Sequence, residues 1–147
     1  LTVTGLPAGT YVPGQAYTVT VTVTDSNGAT GENSFDLILT GTGAKGTLTT
    51  SDPNAEINSV TEASANDAVA DMDATTWTLT WTAPNTGDSV TISVWGVAGD
   101  GAGGSDEPVD EDVFSFTAIP EFSTVLIPLA GVVGVVILSA RATKGKK

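Results

Sequence analysis

The sequence TWTLTWT, at Thr76–Thr82, carries the strongest structural signal of the chain. Threonine alternates with large apolar residues, so Trp77, Leu79 and Trp81 project from one face of an extended strand and the threonines from the other. Two tryptophans and a leucine bury a large apolar area when a second layer covers that face. The segment is therefore predicted to be the central strand of the core of an all-β domain.

Further strands are predicted on both sides of this segment. Residues 17–24 (YTVTVTVT) and 34–40 (SFDLILT) alternate apolar and polar side chains with the same period of two. Shorter strands are predicted at residues 46–50, 56–60, 90–94 and 113–119. The predicted core side chains are Tyr17, Val19, Val21, Phe35, Leu37, Trp77, Leu79 and Trp81. Six to eight short strands with turn residues between them and no helix indicate an antiparallel β-sandwich.

Two parts of this region depart from the alternating pattern. Residues 61–74 (TEASANDAVADMDA) are acidic and rich in alanine, and we expect them to form a long surface connection. Trp95 is out of phase with Val94, so its side chain is predicted to lie on the opposite face of the sheet. The other two tryptophans are more typical of a core than of a sugar-binding face, which leaves Trp95 outside the predicted core.

The amino-acid composition of the chain excludes several classes of function. The 147 residues include 17 acidic and five basic side chains, no cysteine and no histidine, and the net charge is −12. A surface this acidic repels the phosphates of nucleic acid, so nucleic-acid binding is excluded. The lack of histidine removes the commonest general base and metal ligand, and the one basic residue before residue 141 is Lys45, in a predicted exposed turn. No catalytic activity is expected.

An uncharged run follows the predicted domain. Residues 122–140 (FSTVLIPLAGVVGVVILSA) would span roughly 28 Å as a helix, close to the hydrocarbon thickness of a bilayer. Four basic residues follow at once, as is typical of a cytoplasmic flank. We therefore expect an extracytoplasmic β-sandwich at residues 1–119, a transmembrane helix at 120–140 and a basic cytoplasmic tail at 141–147. This orientation requires export, so a signal is expected upstream of the sequence.

The predicted helix also carries features beyond those of a simple tether. Ala130, Gly131 and Gly134 are small residues at the spacing that lets a second helix approach closely. Pro128 is expected to bend the outer half of the helix and to free one backbone carbonyl. The bilayer and the helices of other membrane subunits are therefore both expected partners of this segment.

Two blocks of the soluble part resemble a known family. Residues 5–23 (GLPAGTYVPGQAYTVTVTV) and 76–107 resemble the Reelin-N-terminal-like sandwich of prokaryotic surface proteins, the choice-of-anchor V type. The matching landmarks are Tyr11, Pro13, Gly14, Tyr17, Trp77, Trp81, Ala83, Pro84, Gly87 and the glycine-rich residues 99–104. The resemblance implies an immunoglobulin-like sandwich at the cell surface and no catalysis. Members often carry an upstream Cys/His segment that resembles a haem attachment site; since this chain has neither residue type, no haem is predicted on it.

The C-terminal part resembles a second family. Pro120, Glu121 and Phe122, followed by a hydrophobic helix and a basic cluster, are similar to the PEF type of C-terminal sorting signal on archaeal surface proteins. In that family a membrane protease-transferase removes the helix and transfers the protein to a lipid. The segment is thus expected to be either a permanent anchor or a sorting signal, and surface-layer proteins are among the expected partners.

The acidic segment at residues 100–112 (DGAGGSDEPVDED) is the one metal-site candidate. Calcium prefers hard oxygen ligands, and glycines let backbone carbonyls turn inward. The candidate calcium ligands are Asp100, Asp106, Glu107 and Asp110, with Glu111 and Asp112 beside them. The spacing does not match a 12-residue EF-hand loop, and the alternative is an acidic loop that holds cations loosely. No other cofactor is expected.

Three non-enzymatic roles remain open at this point. The first is a membrane-anchored surface domain with a structural or protein-interaction role. The second is a single-pass accessory subunit of a larger membrane complex, with electron transfer or another membrane enzyme as its context. The third is a filament subunit that assembles by strand exchange, for which residues 1–4 (LTVT) before Pro7 are the candidate donor strand.

Overall fold

The structure, a computed structural model, describes residues 1–24, 33–66, 74–99 and 109–119. These residues form ten strands and no helix, so the all-β prediction is confirmed for them. In chain order the strands are β1 (Thr2–Thr4), β2 (Thr10–Tyr11), β3 (Ala16–Thr22), β4 (Ser34–Gly41), β5 (Thr47–Thr49), β6 (Ala55–Ser59), β7 (Glu62–Ala65), β8 (Thr76–Thr82), β9 (Val90–Val97) and β10 (Val109–Ala118).

The strands form two sheets. The four-stranded sheet has the order β1-β3-β8-β5, and the six-stranded sheet has the order β2-β10-β9-β4-β7-β6. Every pair is antiparallel except β2 and β10, which run parallel at Thr10 and Tyr11. The predicted antiparallel sandwich therefore contains one parallel pair among the described strands. The chain crosses from the four-stranded to the six-stranded sheet at residues 5–9 and enters the second sheet in the same direction as β10.

The two sheets pack face to face over one apolar core. The ring centroids of Phe35 and Trp77, which belong to different sheets, are 4.9 Å apart, and those of Trp81 and Phe116 are 5.6 Å apart. Seven of the eight predicted core side chains are buried. Tyr17 is the exception: its ring stacks on Trp81 at the rim, and its hydroxyl accepts a hydrogen bond from the exposed backbone N–H of Val12 at 2.9 Å.

The predicted surface connection at residues 61–74 is wrong in its first part. Residues Glu62–Ala65 form β7, which pairs with both β4 and β6, and the side chain of Ala63 is fully buried. The segment has no large apolar side chain that would identify a strand in the sequence. Pairing with the exposed edge of β4 decides its conformation, as tertiary context often does for weak strand formers. Residues 67–73 lie outside the described part of the chain.

Both ends of the described chain belong to sheets. Residues Thr2–Thr4 pair with β3 in their own sheet, so the candidate donor strand already has a partner. β10 begins at Val109, four residues before the predicted strand, and takes in part of the predicted acidic loop. No helix long and apolar enough to cross a bilayer occurs in the described ranges. The predicted membrane helix and tail, residues 120–147, lie outside them.

Candidate functional site

Of the ten candidate metal-ligand, sorting and helix-packing residues predicted from the sequence, Asp110 alone lies within the described residues. Of the candidate calcium ligands, Asp100, Asp106 and Glu107 lie outside the described residues. Asp110 is exposed on β10, and its Oδ2 lies 3.1 Å from the amino group of Leu1. The hydrogen bond from this amino group, and then its positive charge, lower the pKa of Asp110. Within the described ranges no three acidic side chains lie close enough together to hold a metal ion.

The predicted membrane residues also lie outside the described part. They comprise the sorting motif and the helix-packing residues, namely Pro120, Glu121, Phe122, Ala130, Gly131 and Gly134. What the structure does describe is the surface of the sandwich. Two places on it combine geometry and chemistry that a partner could use: an open side between the two sheets, and the outer face of the six-stranded sheet.

The open side of the sandwich holds a groove of about 430 Å³, called here the edge groove. One wall is formed by Val3 and the crossing segment at residues 5–9, and the other by residues 113–116 of β10. The lining combines apolar side chains with polar backbone and hydroxyl groups, and Val3, Leu6 and Phe114 are half-buried there against the core. The groove exists because β1 and β10 belong to different sheets and no described strand closes the space between them.

One wall of the edge groove carries an unpaired backbone edge. The N–H of Thr117 donates to the carbonyl of Gly9 at 3.1 Å, and the N–H of Ile119 donates to that of Tyr11 at 2.8 Å. Odd-numbered residues of β10 therefore direct their backbone groups away from β9, because these groups alternate along a strand. β2 covers only Thr117 and Ala118, and no described strand pairs with this side of β10 at residues 109–116. The residues with outward backbone groups are Val109, Glu111, Val113 and Ser115.

The side chains on this free edge are apolar and acidic. Val113 is 58% exposed and Val109 is 63% exposed, whereas the carboxylates of Asp110, Glu111 and Asp112 lie between them. The N–H of Glu111 donates to Oδ1 of the neighbouring Asp110 at 3.0 Å. An edge with exposed valines is a template for pairing with another strand. The carboxylates restrict which strands can approach it.

The outer face of the six-stranded sheet presents Trp95 between carboxylates. In the sheet register Trp95 lies directly across from Asp36 on one side and Glu111 on the other, and Ser64 follows Asp36. Directly opposed residues in antiparallel strands have Cβ atoms about 4.5–5.5 Å apart. Trp95 is half-buried while its neighbour Val94 is buried in the core, in the arrangement predicted from their phase. This face attracts cations and repels anions.

Asp36 is the carboxylate on this face whose ionised form is disfavoured. Its Oδ1 is buried and has no hydrogen-bond partner among the described residues. Burial raises the pKa of Asp36, and the charge of the nearby Glu62 carboxylate raises it further. The ionised form of a carboxylate is disfavoured by burial and by a like charge nearby, and Glu62 adds such a like charge. Asp36 is therefore protonated more readily in the folded domain than in the unfolded chain.

Tyr11 anchors β2, the short strand that pairs with the end of β10. Its side chain is fully buried, and its hydroxyl donates toward the carbonyls of Thr86 and Asp88 at 2.8 and 2.6 Å. These contacts tie β2 to the loop before β9, and so hold β2 against the end of β10. Trp81 packs edge-on against Tyr11 with a centroid distance of 5.7 Å. The sequence marks Tyr11 only as a family landmark, because the hydrogen-bond partners of its hydroxyl lie 75 or more residues away along the chain.

Together these observations define the described part of the chain as a two-layered all-β domain. It has a packed aromatic core, a free edge along most of β10 and a groove beside that edge. Comparisons with protein-family models, with curated proteins and with solved structures found no match to this chain.

Proposed function

We propose that this chain is a cell-surface protein-interaction domain that binds its partner at the edge groove and is held at the membrane by residues 120–140. Residues 1–119 lie outside the cell and residues 141–147 inside. The support for attachment is the uncharged run at residues 122–140 followed by four basic residues. The PEF-like residues before that run agree with this proposal whether the segment is a permanent anchor or a sorting signal.

The sheet order supports an immunoglobulin-like sandwich. In that fold the strands A, B, E and D form one sheet and C, F and G the other. The order β1-β3-β8-β5 corresponds to A-B-E-D, and β10-β9-β4 corresponds to G-F-C. The departure is the β6–β7 hairpin, which lies beside β4 but follows β5 in the chain. Many cell-surface interaction domains share this sandwich architecture, although fold alone does not specify function.

The observation that carries the proposal is the edge groove itself. Natural β-proteins usually shorten, charge or cover their edge strands, because a free edge invites pairing. Here the edge carries three carboxylates, but at residues 113–116 it adjoins the groove, and two valines on the edge are more than half exposed. An exposed apolar surface rimmed by polar groups is typical of an interaction site. Of the described residues, those at this edge are the best suited to contact another protein.

Site-specific photo-crosslinking on cells tests the proposal. The full chain, exported to the surface of a prokaryotic host that carries the native partners, would contain a photo-reactive amino acid at position 113 or at position 60. Val113 and Val60 are 58% and 62% exposed, so the two positions are matched in access. We expect a discrete crosslinked species from position 113 and none from position 60. Equal crosslinking at both positions, or none at position 113, would overturn the proposal.

A second role is favoured by a separate feature of the sequence. Ala130, Gly131 and Gly134 form a small-residue step in the membrane segment, and Pro128 frees a backbone carbonyl there. These features suit a single-pass accessory subunit whose helix packs within a larger complex. Stoichiometric membrane proteins that remain with the chain after gentle detergent extraction would support that role. Filament assembly by exchange of residues 1–4 is less favoured, because β1 pairs within its own sheet.

A further inference from the structure

We propose that the edge groove binds an extended, positively charged segment of a partner protein, which adds to β10 as a further strand of the six-stranded sheet. This inference rests on the proposed function, because it names the chemistry of the partner at the same site. Three features of the described residues carry it: the direction of the free backbone groups, the half-buried apolar side chains in the groove and the charge along the edge.

The backbone groups of β10 are already oriented for strand addition. Those of Val109, Val113 and Ser115 point away from β9, where no described strand meets them. They lie in the plane of a sheet that β2 continues only at Thr117 and Ala118. An added strand would lie in line with β2 and cover residues 109–115. At about 3.3 Å per residue this edge is roughly 23 Å long, which suits a segment of six or seven residues.

The groove floor selects alternate apolar side chains. Successive side chains of an added strand point to opposite faces, so every second one would enter the groove. There it would meet Phe114 on β10 and Leu6 on the opposite wall, both half-buried and both packed against the core. Main-chain hydrogen bonds would supply affinity, and the side chains in the groove would supply specificity. The partner segment is therefore alternately apolar.

The charge of the edge excludes a second copy of this chain as the partner strand. Asp110, Glu111 and Asp112 follow one another on the free part of β10. Antiparallel pairing of two β10 edges about Asp112 would place the two Asp112 carboxylates opposite each other with the other carboxylates nearby, and like charges directly opposite are destabilising. A segment with lysine or arginine at the end nearest these residues would instead gain from them. The occupant is thus a basic segment of a different protein.

Peptides methylated on their backbone nitrogens test strand addition without altering the protein. The probe is Thr-Val-Thr-Val-Lys-Val-Lys with a fluorescent label, and the protein is the full chain in nanodiscs of neutral lipid. Two isomers carry N-methyl groups either on the valines or on the threonines and lysines, so that opposite edges of the strand are blocked. A strand pairs with β10 through one edge only. We expect one isomer to bind at least tenfold more weakly than the unmethylated peptide, and the other to bind within about threefold.

Variants of the peptide charge and of Val113 on the β10 edge test the charge along the edge and the free backbone groups. Replacing both peptide lysines by glutamate is expected to abolish binding, and raising the salt concentration is expected to weaken the lysine peptide. In the protein, Val113→Pro removes an outward donor whereas Val113→Ala retains it, and proline is tolerated where an edge N–H faces solvent. We expect Val113→Pro to lose binding at least tenfold relative to Val113→Ala, with both variants compared at equal folded fraction by circular dichroism.

The outcomes separate this inference from the proposed function. Equal binding of the two methylated isomers, or no binding of the unmethylated peptide at millimolar concentration, would overturn strand addition. If position 113 still crosslinks on cells in that case, the edge groove remains an interaction site with a differently shaped partner. If position 113 does not crosslink, the proposed function itself fails.

Discussion

The hydroxyl of Tyr11 donates to the backbone carbonyl of Asp88 across 2.6 Å, and the carbonyl of Thr86 lies 2.8 Å from the same oxygen. The contact joins a two-residue strand near the start of the chain to a loop more than 70 residues later. It holds β2 beside the end of β10, where the parallel pair begins. The Tyr11 hydroxyl therefore helps to hold β2 at Thr117 and Ala118, where the covered part of the β10 edge meets its free part.

Removal of this hydroxyl is expected to destabilise the domain. Tyr11→Phe would remove the one hydroxyl proton that two carbonyls share at a part-buried site, and we expect the free energy of unfolding to fall by about 1 kcal/mol. Urea unfolding followed by tryptophan fluorescence measures the change. Tyr17→Phe is the control, since the Tyr17 hydroxyl bonds an exposed N–H and its loss should cost about 0.5 kcal/mol. A larger loss for Tyr17→Phe than for Tyr11→Phe would contradict this account.

The turn that leads into the edge groove depends on Gly5. Its φ is 87°, and an added Cβ would overlap the carbonyl oxygen of Thr18 in the neighbouring strand. We expect Gly5→Ala to lower the free energy of unfolding by about 3 kcal/mol, from backbone strain and overpacking together. Gly9 has a φ of 77° with no atom within 4 Å of an added Cβ, so Gly9→Ala should cost about 1 kcal/mol. Similar losses for the two variants in thermal or urea unfolding would show that the overlap is unimportant.

The outer face of the six-stranded sheet gives a pH dependence with a definite sign. Burial and the Glu62 carboxylate raise the pKa of Asp36 above its ordinary value of 3.8. Between these two pKa values the folded state binds the proton more often than the unfolded state, so stability falls as pH rises through this window and then levels off. Asp36→Asn should remove this decline and be more stable than the wild type at pH 7. Urea midpoints from pH 3.5 to 7 test it, and parallel profiles of the two proteins would exclude the effect.

Attachment and orientation make a separate prediction. Because the chain has no cysteine, Ser51→Cys and Lys147→Cys each introduce a unique label site. A membrane-impermeant maleimide is expected to label position 51 on intact cells and position 147 only after lysis. Ending the chain after Ile119 should release it into the medium, whereas the full chain should stay in the membrane after carbonate extraction. Labelling of position 147 on intact cells, before any lysis, would reverse the proposed topology.

Much of the fold followed from local pattern, and the exceptions have one physical cause. β3, β4 and β8 alternate large apolar and polar side chains, so their inward faces were predicted and their side chains are buried, Tyr17 excepted. β7 lacked that signal, because Ala63 is small and its neighbours are polar; its pairing with β4 is what makes it a strand. Trp95 was predicted on the outer face from its phase, but its carboxylate neighbours come from strands about 60 residues and 16 residues away along the chain.

The sequence by itself determined the all-β class, most of the core side chains and the acidic character of the surface, because these depend on composition and on a period of two within single strands. Tertiary structure alone decided that β1 and β10 lie on the same open side of the sandwich and that β2 pairs in parallel with β10. It also decided that no other described strand pairs with the outer edge of β10 at residues 109–116. Which strands become neighbours depends on contacts such as that between Tyr11 and Asp88. Such contacts join residues far apart in sequence, and no local pattern encodes them.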